Sequence, residues 1–353
     1  MTNKANKAIS TWLFIGAFLV AAIVITGGIT RLTNSGLSMV TWEPISGIIP
    51  PLNVEDWQTE FNNYKTSPEF QLKNRNFDLE DFKSIFWWEY IHRAFARIIG
   101  LVFIFPFLFF LFTKKLKNKS LMKHLIIIFL LGGFQGFLGW FMVSSGLVDK
   151  PHVNHYRLAS HLMAALTLFG YIIWVALQLR FADTKTNADS NVQIRKLLRT
   201  SMIFIIIQIV YGAFMAGLKA GYMFPSFPKM GDSWFPVSLH YAFMEEGMLG
   251  LIENPMLVQF MHRWIPLFII IIAGILLFKT EAKSKNINVQ QRRIIRVLNF
   301  MVLIQIILGI YTILFSVPIT LGVLHQFGAV ILFAINLLAL FYFRKKNIFD
   351  LEN

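Results

Sequence analysis

Apolar residues in this chain come in blocks of about twenty, divided by polar stretches that alternate between basic and acidic. The blocks fall at 10–28, 86–112, 121–143, 156–179, 196–217, 258–278, 294–315 and 321–343. At a rise of about 1.5 Å per residue, each crosses a hydrocarbon core of about 30 Å as a helix. The pattern therefore predicts an all-α polytopic membrane protein with eight transmembrane helices. The first block follows Lys4 and Lys7 as a signal peptide would. It lacks a clear small-residue cleavage site and runs on through GGITRLTNSGLS, so it reads as a retained helix.

One set of connecting stretches collects Lys4 and Lys7, KKLKNKSLMK at 114–123, then Arg180, Lys185, Arg195, Lys196 and Arg199. Lys279, Lys283, Lys285, Arg292, Arg293, Arg296, Arg344, Lys345 and Lys346 fall on the same side. The other set is acidic, with Glu43, Glu55, Asp56, Glu60, Glu69, Asp78, Glu80 and Asp81, then Asp232, Glu245, Glu246 and Glu253. The positive-inside rule then puts both termini in the cytoplasm and the two long loops outside, in an inner membrane if the cell has two. The longer loop, 29–85, is punctuated by Gly and Pro yet carries several Trp and Phe, which argues for order. Asn53 can cap a short helix over VEDWQTEFNNYK, and Asp78 with Asp81 can cap a second over FKSIFWW. This loop is expected to lie over the external face as a lid.

An internal repeat organises the remainder. A shift of 170 places EYIHR (89–93) on QFMHR (259–263) and QGFLG (135–139) on QIILG (305–309), and a shift of 164 places His161 on His325. The chain then divides into residues 1–180, with the long loop, and 181–353. Each half is a four-helix bundle, and the two are expected to be related by a pseudo-two-fold axis along the membrane normal.

Composition removes several function classes. Hydrophobic residues make up 56% and mean hydropathy is +0.57, too apolar for a soluble domain. The net charge of +14 reads as topology, not as a nucleic-acid footprint. The absence of cysteine excludes disulfides, thiolate metal sites and thiol relays, leaving imidazole as the main soft ligand.

Four histidines, His92, His161, His262 and His325, sit just inside every second block at one depth. An ionisable side chain inside a membrane is a functional-site candidate by default. Helices 2 and 4 of a square bundle are diagonal at about 14 Å, a gap that suits one metal, such as a six-coordinate haem iron, between two imidazoles. Hydrogen-bonded bundle histidines or proton-relay members are the alternatives. Arg93 and Arg263 follow repeat-related histidines, and Arg97 and Arg157 lie at similar depth, placed to pair with haem propionates or to snorkel to headgroups. Three positions before the histidine the halves differ, with Glu89 in the first and Gln259 in the second. A carboxylate exchanges protons and an amide does not, so the first half is the candidate for chemistry and the second for a fixed cofactor. Alternatively, Glu89 simply marks an interface. His124, His152, His155 and His240 read as helix-end or loop residues.

GGITRLTNSGLS, WEPISGIIPPLNVEDWQTEFNNYKTSPEF, FWWEYIHRAFARIIG, HYRLASHL, FMHRW and VLHQFGA together resemble the haem A synthase family, over nearly the whole chain. The chain looks like the cysteine-free branch of alphaproteobacteria and mitochondria, and departs from the Gram-positive branch, whose loops carry a cysteine pair. The resemblance implies oxidation of the C8 methyl group of haem O to a formyl group, by successive hydroxylations and loss of water from a gem-diol, giving haem A for cytochrome oxidase. It further implies that His262 and His325 ligate a resident haem b, that His92 and His161 flank the substrate haem O, and that Glu89 is the essential carboxylate. A haem O synthase and cytochrome oxidase assembly factors are the implied protein partners, within membrane lipid. The competing classes are a di-haem cytochrome b acting only in electron transfer and a transporter. A transmembrane wire places its haems near opposite faces, and a transporter does not call for His-Arg pairs at one depth.

Overall fold

The computed structural model describes residues 3–41, 46–116, 118–147, 151–181, 192–282 and 287–344. Of the residues used above to assign sides, Glu43, Lys117, Lys185, Lys283, Lys285, Lys345 and Lys346 lie outside them. Eleven α-helices run through the described residues: α1 (Asn3–Leu32), α2 (Val54–Lys65), α3 (Pro68–Leu72), α4 (Leu79–Phe112), α5 (Lys119–Ser144) and α6 (His155–Arg180), then α7 (Val192–Gly217), α8 (Val237–Glu253), α9 (Pro255–Glu281), α10 (Val289–Leu314) and α11 (Ile319–Tyr342). Eight of them, all but α2, α3 and α8, are long and apolar enough to cross a membrane, and they fall on the eight apolar blocks. The protein is an all-helical, multi-pass membrane protein.

Two helices depart from expectation. The cap at Asp78 is present, with a capping box closed by Asp81, but it opens α4 itself and no separate short helix. No Gly or Pro interrupts 79–99, so once nucleated the helix continues into the apolar block. α8 is the helix without an anticipating signal, because its N-cap is Pro236, with no side-chain cap, and Gly247 breaks its helical geometry at φ 61°.

In the first half α1 packs against α4 and α6, and α5 against α6. In the second, α7 packs on α9 and α11, and α10 on α9 and α11, which closes a square. The halves meet through α1, α6, α7 and α11. Asn336 on α11 donates to the Leu198 carbonyl of α7 at 3.2 Å, and Gln326 on α11 donates to the Val24 carbonyl of α1 at 2.7 Å. Near the second bond Gly28 lets α1 approach closely, since a Cβ there would sit 2.6 Å from Gln326 Oε1.

Prolines inside membrane helices free a carbonyl one turn earlier, and in lipid that carbonyl needs a new donor. Pro106 of α4 frees the Val102 carbonyl, and the Trp12 indole of α1 donates to it at 2.9 Å. Pro266 of α9 frees the carbonyl of His262, whose replacement donor belongs to the site below.

The described parts of the long loop, 29–41 and 46–85, reach across one end of the first bundle. Phe61 and Tyr64 of α2 stack on Phe82 with centroids 5.3 and 5.1 Å apart, and Trp57 meets Phe86 edge-on at 5.0 Å. On the opposite side of the bundle mouth, Lys73 donates to the Pro151 carbonyl, and Leu37 fills the space left by Gly146. Within this cap Glu69 is buried beside Tyr64, whose hydroxyl donates to it at 3.3 Å. Burial pushes the Glu69 carboxyl up to about 7, against the pull of Lys73.

Candidate functional site

Each of the four histidines lies against the membrane helix that precedes its own. A glycine makes the approach possible in every case: a Cβ at Gly27, Gly139, Gly212 or Gly309 would stand 3.0, 3.2, 3.4 or 2.9 Å from Cε1 of His92, His161, His262 or His325. Three of these glycines follow a glutamine by four residues, which puts both on one helix face. Gln135 Nε2 donates to the His161 carbonyl at 3.0 Å and lies 3.1 Å from Nδ1 of the same residue. Gln208 does the same for His262 at 2.9 and 3.1 Å, taking the carbonyl that Pro266 frees, and Gln305 for His325 at 2.7 and 3.2 Å. The first cradle departs from this pattern. Ile23 stands where the glutamine would be, and the Thr26 hydroxyl lies 3.0 Å from His92 Nδ1 instead.

His262 and His325 face each other across the second bundle, with ring centroids 6.3 Å apart and planes at 83°. An imidazole–metal bond of about 2.0 Å, with roughly 1.1 Å from nitrogen to ring centre, puts two rings on one linear axis about 6.2 Å apart. The spacing matches one metal ion held between two imidazoles. Among the described residues no three His, Asp or Glu side chains converge as a metal site. Two histidines alone suit a metal whose remaining ligands come from elsewhere, as the porphyrin supplies them in a haem. In the first half His92 and His161 are within electrostatic reach of each other, on diagonal helices. All four histidines are half-buried.

Glu89 is 2% exposed and takes three donors: Arg93 at 2.6 Å, the Ser38 hydroxyl at 2.7 Å and the Met39 backbone N–H at 2.9 Å. It shares a helix face with His92, yet its oxygens are engaged with Arg93 and with the loop after α1. Arg93 also donates to the Met39 and Thr41 carbonyls at 2.9 and 3.1 Å. In the second half the arginine does the same work and the residue at 259 the opposite: Arg263 donates to the Phe224 and Lys229 carbonyls at 2.6 and 3.2 Å, and Gln259, where Glu89 accepts, donates to the Phe224 carbonyl at 3.2 Å. Both arginines therefore tie down the loop segment above their histidine. Glu89 thus accepts where Gln259 donates, and it places a negative charge against Arg93 that the second half lacks.

Arg97 lies one turn beyond Arg93 and is half-buried. Arg157 donates to the Phe141 carbonyl at 2.7 Å and lies over the Phe141 ring, which fastens α6 to the end of α5. His152 and His240 are exposed, as expected. His124 and His155 are not plain helix-end residues. His124 Nδ1 lies 2.6 Å from the Tyr171 hydroxyl, and His155 packs edge-on against Phe214 at 5.4 Å while pressing on Gly217, at the seam between the halves. The glutamine–glycine cradles are the functional feature that histidine and carboxylate spacing does not find. Their signal is a motif written three times, QGFLG, QIVYG at 208–212 and QIILG.

A family model described as cytochrome oxidase assembly protein, COX15-CtaA, matches residues 10–337. The chain belongs to this family. Among curated relatives of the COX15-CtaA chain, a protein of Flavobacterium psychrophilum named "Heme A synthase" is 43% identical over 345 residues, covering 97% of this chain and all of the relative. Proteins of the same name from Paramagnetospirillum magneticum and from the Wolbachia of Brugia malayi are 41% and 38% identical, covering 96% and 98% of this chain and 95% and 100% of theirs. The similarity takes in both halves and all four cradles, whose residues lie between 23 and 325.

Proposed function

We propose that this protein is a haem A synthase, oxidising the C8 methyl group of haem O to a formyl group for cytochrome oxidase. The observation that carries the reading is full-length similarity to proteins of that name in a chain whose four intramembrane histidines form two unequal pairs. The change from methyl to formyl removes four electrons from the substrate, through two hydroxylations and loss of water from the gem-diol.

The second half is the cofactor half: His262 and His325 hold a haem b, which when bound supplies one-electron transfer. Gln208 and Gln305 fix the two rings, and Arg263 holds the segment above them. The first half is the substrate half: His92 and His161 flank haem O, and Glu89 is the carboxylate that holds or moves a proton beside it. Arg93 keeps that carboxylate in place and, with Arg97, provides positive charge for the propionates. Both termini are cytoplasmic, by the distribution of Lys and Arg, and the histidine layer faces the outer side of the inner membrane. The two halves stand as parallel repeats about an axis along the membrane normal. A haem O synthase and cytochrome oxidase assembly factors are the expected partners.

The test is to express the chain in membranes that contain haem O and to analyse the extracted haems. Haem A, or hydroxylated haem O on the way to it, supports the reading. Bound haem b with no oxidised product assigns the chain to electron transfer alone.

A further inference from the structure

The two bundles differ in how they are closed. In the second half α9 packs along α10, whereas in the first half the corresponding pair, α4 and α5, is not packed together along its length. The Phe103 and Phe129 rings bridge the two helices, with centroids 6.3 Å apart. Phe103 lies eleven residues, three turns, beyond His92, so both sit on one face of α4, which rests on α1 at Gly27 and Trp12 and reaches α5 at Phe129. Phe129 defines the matching face of α5, and Gly136 lies two turns further along it, with Gly132 and Gly133 to either side.

A Cβ built at Gly100, Gly132, Gly133 or Gly136 meets nothing within 4 Å. The shift of 170 that aligns the halves puts Ile270, Val302, Leu303 and Ile306 at these four positions. The second half thus carries side chains where the first half has glycines, with Val302 buried and Ile270 and Leu303 exposed, while the α9–α10 packing itself closes that side.

We propose that the gap between α4 and α5 is a lateral opening from the bilayer to the His92–His161 pair, and that its occupant is the substrate haem O, an apolar macrocycle with a prenyl tail. The inference rests on the function proposed above. A substrate must enter and its product leave at every turnover, while a resident cofactor stays, and among the described residues the α4–α5 pair of the substrate half lacks the packing that joins α9 to α10. Haem O partitions into lipid, so a route between helices requires no passage through water. The opening also ends on a ring of the right kind: His92 is on the α4 face that lines it, and Gly139, one turn beyond Gln135 on α5, packs against His161.

The absence of native cysteine makes a direct test available. Gly136→Cys and, as its counterpart wall in the second half, the exposed Leu303→Cys each introduce one thiol into the full chain, to be labelled with a lipid-soluble maleimide in nanodiscs. Haem O is expected to slow labelling at position 136 at least fivefold and to leave position 303 unchanged. Equal labelling at position 136 with and without haem O, in protein that still converts haem O, overturns the opening and leaves the proposed function standing. Labelling that responds to phospholipid content or to protein concentration, and not to haem O, also overturns it, in favour of annular lipid or a second copy of the chain. No conversion by the wild-type chain would overturn the functional reading itself. As a second variant, Gly132→Val with Gly136→Ile should retain haem b at the wild-type level, raise KM for haem O at least tenfold and slow product release. An unchanged KM contradicts the proposal.

Discussion

The decisive residue is Glu89. It accepts from Arg93, Ser38 and Met39, whereas its counterpart Gln259 donates to the Phe224 carbonyl, so Glu89→Gln keeps the size of the side chain and one acceptor oxygen while removing the charge. This variant is expected to bind haem b as wild type does and to form no haem A, and wild-type conversion would contradict the role given to the carboxylate. Arg93→Ala asks a different question. It leaves a buried carboxylate without its cation, at a cost of about 3–5 kcal/mol, and should lower the thermal midpoint of the purified protein markedly, where Glu89→Gln lowers it less. Gln208→Leu keeps the size of the side chain and removes the donor to the carbonyl that Pro266 frees. Loss of such a ring support weakens metal binding about 10–100-fold, so haem b occupancy should fall on dilution while His262 remains in place.

At the scale of elements, the capping loop carries its own pH dependence. Glu69 titrates near 7 in the folded loop and near the usual carboxylate value when the loop is unfolded. The folded loop therefore binds more protons between those values, so its stability is greatest at low pH and falls as pH rises toward 7, by about 3 kcal/mol in total. Hydrogen exchange across α2 and α3 should be slower at pH 5 than at pH 8, and Glu69→Gln should remove most of the difference. The membrane helices were legible because a run of about twenty apolar residues has one cheap solution in lipid, a helix. The capping signal at Asp78 was legible too, but a cap marks only a start, and whether a short helix or α4 follows depends on the uninterrupted residues after it. The glutamines of the cradles were harder to read, since one polar residue in an apolar helix does not say which neighbour it meets. α8 had no cap to announce it.

At the scale of the whole molecule, segment counting puts one histidine on every second membrane helix, helix order pairs them within each half, and the structure sets each against the membrane helix before its own. The difference between the pairs shows first at position 89 against 259, and the structure extends it to Thr26 in place of a glutamine and to an open α4–α5 side. That open side was hidden in sequence because glycine is ordinary in membrane helices, and comparison with the packed α9–α10 pair of the second half gives it meaning. The proposed function requires one half to keep a haem and the other to work on one. The most direct test is the haem inventory of four purified variants, His92→Ala, His161→Ala, His262→Ala and His325→Ala, each expressed with a source of haem O. The last two are expected to lose resident haem b and the first two to retain it, with haem A absent from all four. Loss of haem b in His92→Ala or His161→Ala, with retention in His262→Ala and His325→Ala, would reverse the assignment of the halves and contradict the account.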